Sequence, residues 1–233
     1  MLFRSGAVAT GLASSAAEGL SPLISVVPIV RIISGVGAMQ LSVFTGLTFF
    51  LSAFGVGVFL SQREKRCHWR LIAMGYSSGQ VFWGEGLAYL AINGLMIGGF
   101  HGVFALLYPE FMPVGMTQTL ALLGLMTLQS LLAAGYALMF LGLSRSQKTF
   151  SQFYFAPAFV LSFLGGAMFP VDRLAGSGLY EWMPNYVLST QYTAIFEGRL
   201  VLDGYGLLQW GALLGAALLL TLVGRWRFKL EEV

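Results

Sequence analysis

Apolar residues along this 233-residue chain gather in long, nearly unbroken runs, and short polar stretches separate them. Five runs are long enough to cross roughly 30 Å of hydrocarbon as helices rising about 1.5 Å per residue. They cover about Val36–Leu60, Gly79–Tyr108, Thr117–Leu143, Phe153–Phe169 and Leu207–Val223. The alternating pattern of a membrane β-strand is absent from them. The pattern predicts an all-α integral membrane protein, a polytopic bundle of about five transmembrane helices.

Two polar stretches are more than simple loops. Residues 61–78, SQREKRCHWRLIAMGYSS, hold Arg63, Glu64, Lys65, Arg66 and Arg70 between the first two spans. Burying four cations in hydrocarbon would cost roughly 10 kcal/mol or more, at about 2.5–3.5 each, so they stay in water or headgroups. Yet Trp69, Ile72 and Tyr76 fall at i, i+3 and i+7, on one helical face. A short amphipathic helix lying along the inner membrane face satisfies both halves. It is either an anchor that fixes topology or a docking element for a cytoplasmic partner. The second stretch, VDRLAGSGLYEWMPNYVLSTQYTAIFEGRLVLDGYG from Val171 to Gly206, has a middle, Tyr186–Phe196, too apolar to be solvated and too short to span. An outer re-entrant or interfacial helix pair fits, broken by Pro170 and Pro184, with Glu181, Trp182, Tyr186 and Tyr192 near headgroup level.

Composition agrees with the pattern. Residues are 57% hydrophobic and only 10% charged, against about 25% charged in a soluble domain. So few charges cannot cover a water-facing surface, whereas a bilayer supplies an apolar one. Basic residues then set direction. Arg63, Lys65, Arg66 and Arg70 follow the first span, Arg145 and Lys148 follow the third, and Arg225, Arg227 and Lys229 follow the fifth. With alternating spans these regions share one face, which the positive-inside rule makes cytoplasmic. The chain is accordingly expected in the plasma (inner) membrane, multi-pass, with loop 61–78 and the C-terminus inside and the N-terminus outside. Residues 1–35, interrupted by Pro22 and Pro28, read as an extracytoplasmic or interfacial segment, 36–228 as the transmembrane domain, and 229–233 as a cytoplasmic tail. The net charge of +3 reflects this uneven placement and gives no reason to expect nucleic acid.

Candidate chemistry is sparse. The only lysines are Lys65, Lys148 and Lys229, and none stands in a phosphate-binding G-x-x-x-x-G-K-[ST] loop. One cysteine, Cys67, and two separated histidines, His68 and His101, give no metal-ligand cluster, so no metal is expected. GYSSG, Gly75–Gly79, matches the nucleophile elbow of serine hydrolases. That elbow needs a preceding strand and a later His, and no His follows position 101; a helix-breaking turn is the plainer reading, and no catalytic residue is assigned. Gly94, Gly98 and Gly102 form two G-x-x-x-G steps that invite close helix crossing. Glu85, inside the second span's cytoplasmic end, either marks a pathway or reaches the interface to meet Arg or Lys. His101 reads as a packed side chain, and Asn93 as an interhelical hydrogen-bond donor.

Three motifs, in order, resemble the permease subunits of ABC type-2 exporters. They are QREKRCHWRLIAMGYSSGQVFWGE after the first span, GGAMFP (Gly165, Gly166, Phe169, Pro170) closing the fourth, and WMPNYVLSTQYTAIFEGR with Pro184, Tyr186 and Arg199 before the last. The resemblance implies a permease that forms the membrane path of an ATP-driven exporter. Its first cytoplasmic loop would be a coupling helix through which Arg63, Glu64, Lys65, Arg66, Trp69 and Arg70 face a separate ATPase subunit. No cofactor is then bound directly, and ATP and Mg belong to the partner ATPase. The chain itself would be a transporter subunit and not an enzyme. A second permease copy or homologue would complete the path, with membrane lipids around it. The family has six spans and a cytoplasmic N-terminus, so the first span and its inner preceding helix are expected to be missing here, as in a fragment or a mis-started reading frame. The family's Pro shortly after Phe-Pro is replaced by the Gly-rich LAGSG. The alternative readings are a membrane-anchored assembly or sensor protein, and a secondary transporter without an ATPase partner. A membrane enzyme would need a Ser–His pair at membrane depth.

Overall fold

The structure, a computed structural model, describes residues 21–65, 68–109, 115–164, 179–196 and 204–229. It describes side chains from Gln40 onward within these ranges, except at 68, 163–164 and 179–180. Helices α1 (Ser21–Glu64), α2 (His68–Ala73), α3 (Ser78–Leu107), α4 (Met116–Leu143) and α5 (Gln147–Leu164) are followed by a 3-10 turn (Leu179–Trp182), α6 (Pro184–Phe196) and α7 (Gly204–Arg227). No strand occurs among the described residues. The chain divides into two compact units, Met1–Ala38 and Met39–Val233. In the first, α1 already runs as helix from Ser21 through Pro28, where the sequence led us to expect interruption. Pro22 sits in the first turn, which tolerates proline because its N–H has no intrahelical partner. All that follows concerns the second unit.

Four described helices are long and apolar enough to cross a membrane: Gln40–Glu64, Ser78–Leu107, Met116–Leu143 and Gly204–Arg227. The expected fourth of five spans differs. Its helix starts six residues before Phe153, at Gln147, so its first turns carry Gln147, Lys148, Ser151 and Gln152 and dilute its apolar character. Its expected end, Gly165–Phe169, lies outside the described residues.

Helix α4 is the hub. Two-thirds (67%) of its most apolar window is buried, against 22% for α3 and α7, so α4 packs inside while α3 and α7 keep broad faces outward. It touches α3, α5, α6 and α7. Small residues Ala133, Ala134, Gly135 and Ala137 make room for this, and Leu125, Leu132 and Leu141 fill the interior. Tyr136 on α4 meets Tyr154 on α5 and Phe49 on α1 edge-on, at centroid distances of 4.9 and 5.7 Å. The Tyr154 hydroxyl donates to the Phe49 carbonyl at 2.5 Å, and Tyr136 donates to the Tyr154 carbonyl at 3.1 Å.

The tightest crossing joins α4 to α7. A Cβ on Gly142 would lie 2.1 Å from the Gly224 carbonyl oxygen, and one on Gly224 would lie 2.3 Å from the Leu138 carbonyl oxygen. One turn pair earlier, a Cβ on Gly135 would meet the Ala217 carbonyl oxygen at 2.6 Å. The G-x-x-x-G steps of α3 do no such work: Gly94 and Gly98 have only ordinary side-chain neighbours, and Gly102 faces open space. Backbone cannot yield as a flexible side chain does. Gly142→Ala and Gly224→Ala should therefore each destabilise the bundle by about 1–3 kcal/mol or more. Gly102→Ala should be neutral or slightly stabilising, since Ala is the better helix former. Thermal unfolding in detergent distinguishes the two groups.

Candidate functional site

The three basic regions of the chain converge on one end of the bundle. After α7 the chain turns Phe228 inward, where it is buried against Phe59 of α1 and Phe82 of α3 at ring distances of 6.0 and 5.4 Å. That anchor carries the Lys229 carbonyl over α1, where it accepts a 2.7 Å hydrogen bond from an Arg63 Nη. The Glu64 carboxylate, next along α1, accepts from the Gln147 backbone N–H at 2.7 Å and so caps the start of α5. Arg225 reaches back toward the start of α3, where a Cβ on Gly79 would sit 3.1 Å from its guanidinium.

Two well-defined punctuation marks follow helix α2. Its C-terminus is closed by Gly75 N–H to the Ile72 carbonyl (2.9 Å) and Tyr76 N–H to the Leu71 carbonyl (3.0 Å), with Gly75 at φ +81°. This paired closure needs a left-handed residue, which glycine adopts without a steric penalty. Helix α3 opens at once: the Ser77 hydroxyl accepts from Gln80 N–H at 3.3 Å, while Gln80 Oε1 accepts from Ser77 N–H at 2.9 Å, a reciprocal capping box. The stretch Gly75–Gly79 that mimics a nucleophile elbow is thus a helix stop followed by a helix start. It also corrects the expected face: α2 ends at Ala73, so Tyr76 lies beyond it. Leu71 and Ile72 pack against the core, while Trp69, Arg70 and Met74 are exposed.

Of the residues singled out for docking, Glu64, Lys65, Trp69 and Arg70 are exposed and Arg63 is buried, 5% accessible. Arg66 lies outside the described residues, as do Gly165, Gly166, Phe169, Pro170 and Arg199. Glu85 is half-buried on α3 with Tyr89 one turn on, and the Tyr89 ring rides over Gly55 of α1. His101 is packed, its ring 4.7 Å from that of Tyr192 and 5.6 Å from that of Phe100. Pro184 opens α6, as a proline at a first helical position should. Trp182 is exposed and Tyr186 half-buried. Tyr192, grouped with them on the sequence, is instead fully buried inside the bundle. Asn185, Leu188, Ser189, Tyr192 and Ile195 recur at helical spacing and form the inward face of α6.

That face completes a buried polar seam which the sequence analysis missed. Tyr192 donates to Gln129 Oε1 (2.7 Å), Gln129 Nε2 donates to the Thr48 hydroxyl (2.9 Å), and Thr45 donates to Asn185 Oδ1. Asn185 Nδ2 reaches the Ser162 carbonyl at 3.3 Å. One turn away, the Ser52 hydroxyl donates to Asn93 at 2.9 Å, so Asn93 does join two helices but through its carbonyl oxygen, as acceptor rather than the expected donor. The seam ties α1, α3, α4, α5 and α6 through side chains that carry no formal charge. Their hydrogen bonds cost little desolvation and fix which faces meet.

No family model, curated protein or solved structure matches the chain. Its described residues form an all-α bundle with four helices suited to a membrane and a cluster of cations at one end.

Tyr192→Phe should remove the Gln129 partner with little change of volume and destabilise the bundle by about 0.6–2 kcal/mol. Phe49→Leu, which touches no polar partner in the seam, is a volume-loss control. Reversible unfolding in mixed micelles measures both.

Proposed function

We propose that this chain is the permease subunit of an ATP-driven exporter, with its basic end in the cytoplasm of a cell bounded by the plasma (inner) membrane. In this reading α2 is the coupling helix: a separate ATPase grips it from the water side, and a second permease copy or homologue completes the path. Helix α6 serves as the outer re-entrant segment that closes the path away from the ATPase. ATP and Mg stay on the partner.

The observation that carries the reading is the build of residues 68–80. A helix of only six residues is closed at its C-terminus by Gly75 and runs at once into the capping box of α3, with Trp69 and Arg70 exposed and Leu71 and Ile72 packed against the core. A topogenic loop needs only its cations near the membrane. A defined stop leading straight into the capped start of α3, with one side packed against the core, suits a lever that passes force to α3. The exposed Glu64, Lys65 and Arg70 offer the charged grip, while Arg63 turns inward and holds the base of the lever.

The test is retention of a candidate exporter ATPase on the purified chain. Lys65→Glu combined with Arg70→Glu should lower retention at least tenfold, because like charges set against a complementary surface cost well over 1.4 kcal/mol. Retention unchanged by the double reversal would remove α2 as the docking element.

A further inference from the structure

Beside the buried Arg63 lies a cavity of about 420 Å³, lined by Arg63, Gly142, Ser144, Arg145, Arg227 and Lys229 together with the flanking Leu143 and Trp226. Four of these residues are cations. The volume falls in the range of small-ligand sites, about 300–1,000 Å³. Packing sets the cations in place: the Gly142–Gly224 crossing brings the ends of α4 and α7 together, and buried Phe228 fixes the Lys229 carbonyl on Arg63. Their positions are therefore built into the fold and do not merely accompany a charged loop.

A second, independent feature says what kind of anion belongs there. Leu214, Leu218, Leu222 and Trp226 recur every four residues along α7 and are all exposed, with Trp226 75% accessible. This apolar stripe runs down the outward face of a candidate span and ends at the cavity rim. At the rim, the Arg227 guanidinium lies 4.6 Å from the centre of the Trp226 ring. An exposed tryptophan between an apolar stripe and a set of cations marks headgroup level, and basic pockets between spans on that side suit anionic headgroups. We infer that this basin binds the phosphate of an anionic phospholipid, whose acyl chains lie along the Leu214–Trp226 stripe. The inference needs the spans and their basic end but no ATPase, so it stands or falls apart from the exporter reading.

The experiment uses the full chain in neutral detergent, titrated with phosphatidylglycerol and with phosphatidylcholine, bound lipid being counted by native mass spectrometry. Saturable binding of phosphatidylglycerol at least tenfold tighter than phosphatidylcholine is expected. Arg145→Gln with Arg227→Gln, both exposed side chains, should weaken it about 25-fold, at about fivefold per cation. Arg70→Gln with Lys148→Gln, outside the lining, should change it less than twofold. Three outcomes each overturn the proposal: equal affinity for the two lipids, equal loss in the control pair, or displacement of phosphatidylglycerol by inorganic phosphate at matching concentration, which would mark a small-anion site without a lipid. The wild-type lipid preference decides the matter even if a variant fails to fold.

Discussion

Holding one guanidinium in bilayer hydrocarbon costs about 2.5–3.5 kcal/mol, and α1 and α7 both end in cations while Arg145 follows α4. That cost pins three separated parts of the chain to one water-facing end, and the bundle is arranged around the meeting. The Lys229 carbonyl reaches Arg63, Glu64 caps α5, and Phe228 seals the aromatic contact beneath them. Neighbouring cations repel, but here the Lys229 carbonyl accepts from Arg63, and the carboxylate of Glu64 follows it along α1. The opposing tendency, apolar faces seeking lipid, then fixes where the spans begin.

Inside the bundle a different economy holds. Lipid is as apolar as leucine, so burying leucine does not by itself select one helix arrangement over another. Selection falls to close backbone crossing and to uncharged hydrogen bonds. Gly142 and Gly224 supply the first, and Thr45, Thr48, Gln129, Asn185 and Tyr192 the second. Both meet on or beside α4, which explains why that helix is the most buried of the four candidate spans.

The long helices were legible in the sequence because twenty apolar residues in a row leave few alternatives. The turn at Gly75–Gly79 was legible too, since glycine and serine at those offsets stop one helix and start the next. The start of α5 was not: Gln147 and Lys148 look like loop until Glu64, 83 residues earlier, is seen to cap the helix they open. The polar seam was hidden for the same reason. Serine, threonine, asparagine and glutamine are scattered singly over five elements, and Thr45 and Asn185 stand 140 residues apart. The working glycines were hidden by number: among 30 of them, the spaced run on α3 drew attention, while Gly142 and Gly224 sit on separate helices and share no local motif.

The proposed function requires the cation-bearing end of the bundle to be a single, cytoplasmic face. Single cysteines at exposed positions test this directly, in a background with Cys67 replaced by Ser and probed with a membrane-impermeant maleimide on intact cells and on inverted vesicles. Arg70→Cys and Lys148→Cys are predicted to label only in inverted vesicles, and Met116→Cys, at the other end of α4, only on intact cells. Labelling of Arg70→Cys and Lys148→Cys from opposite sides would break the single face, and labelling of both on intact cells would invert it.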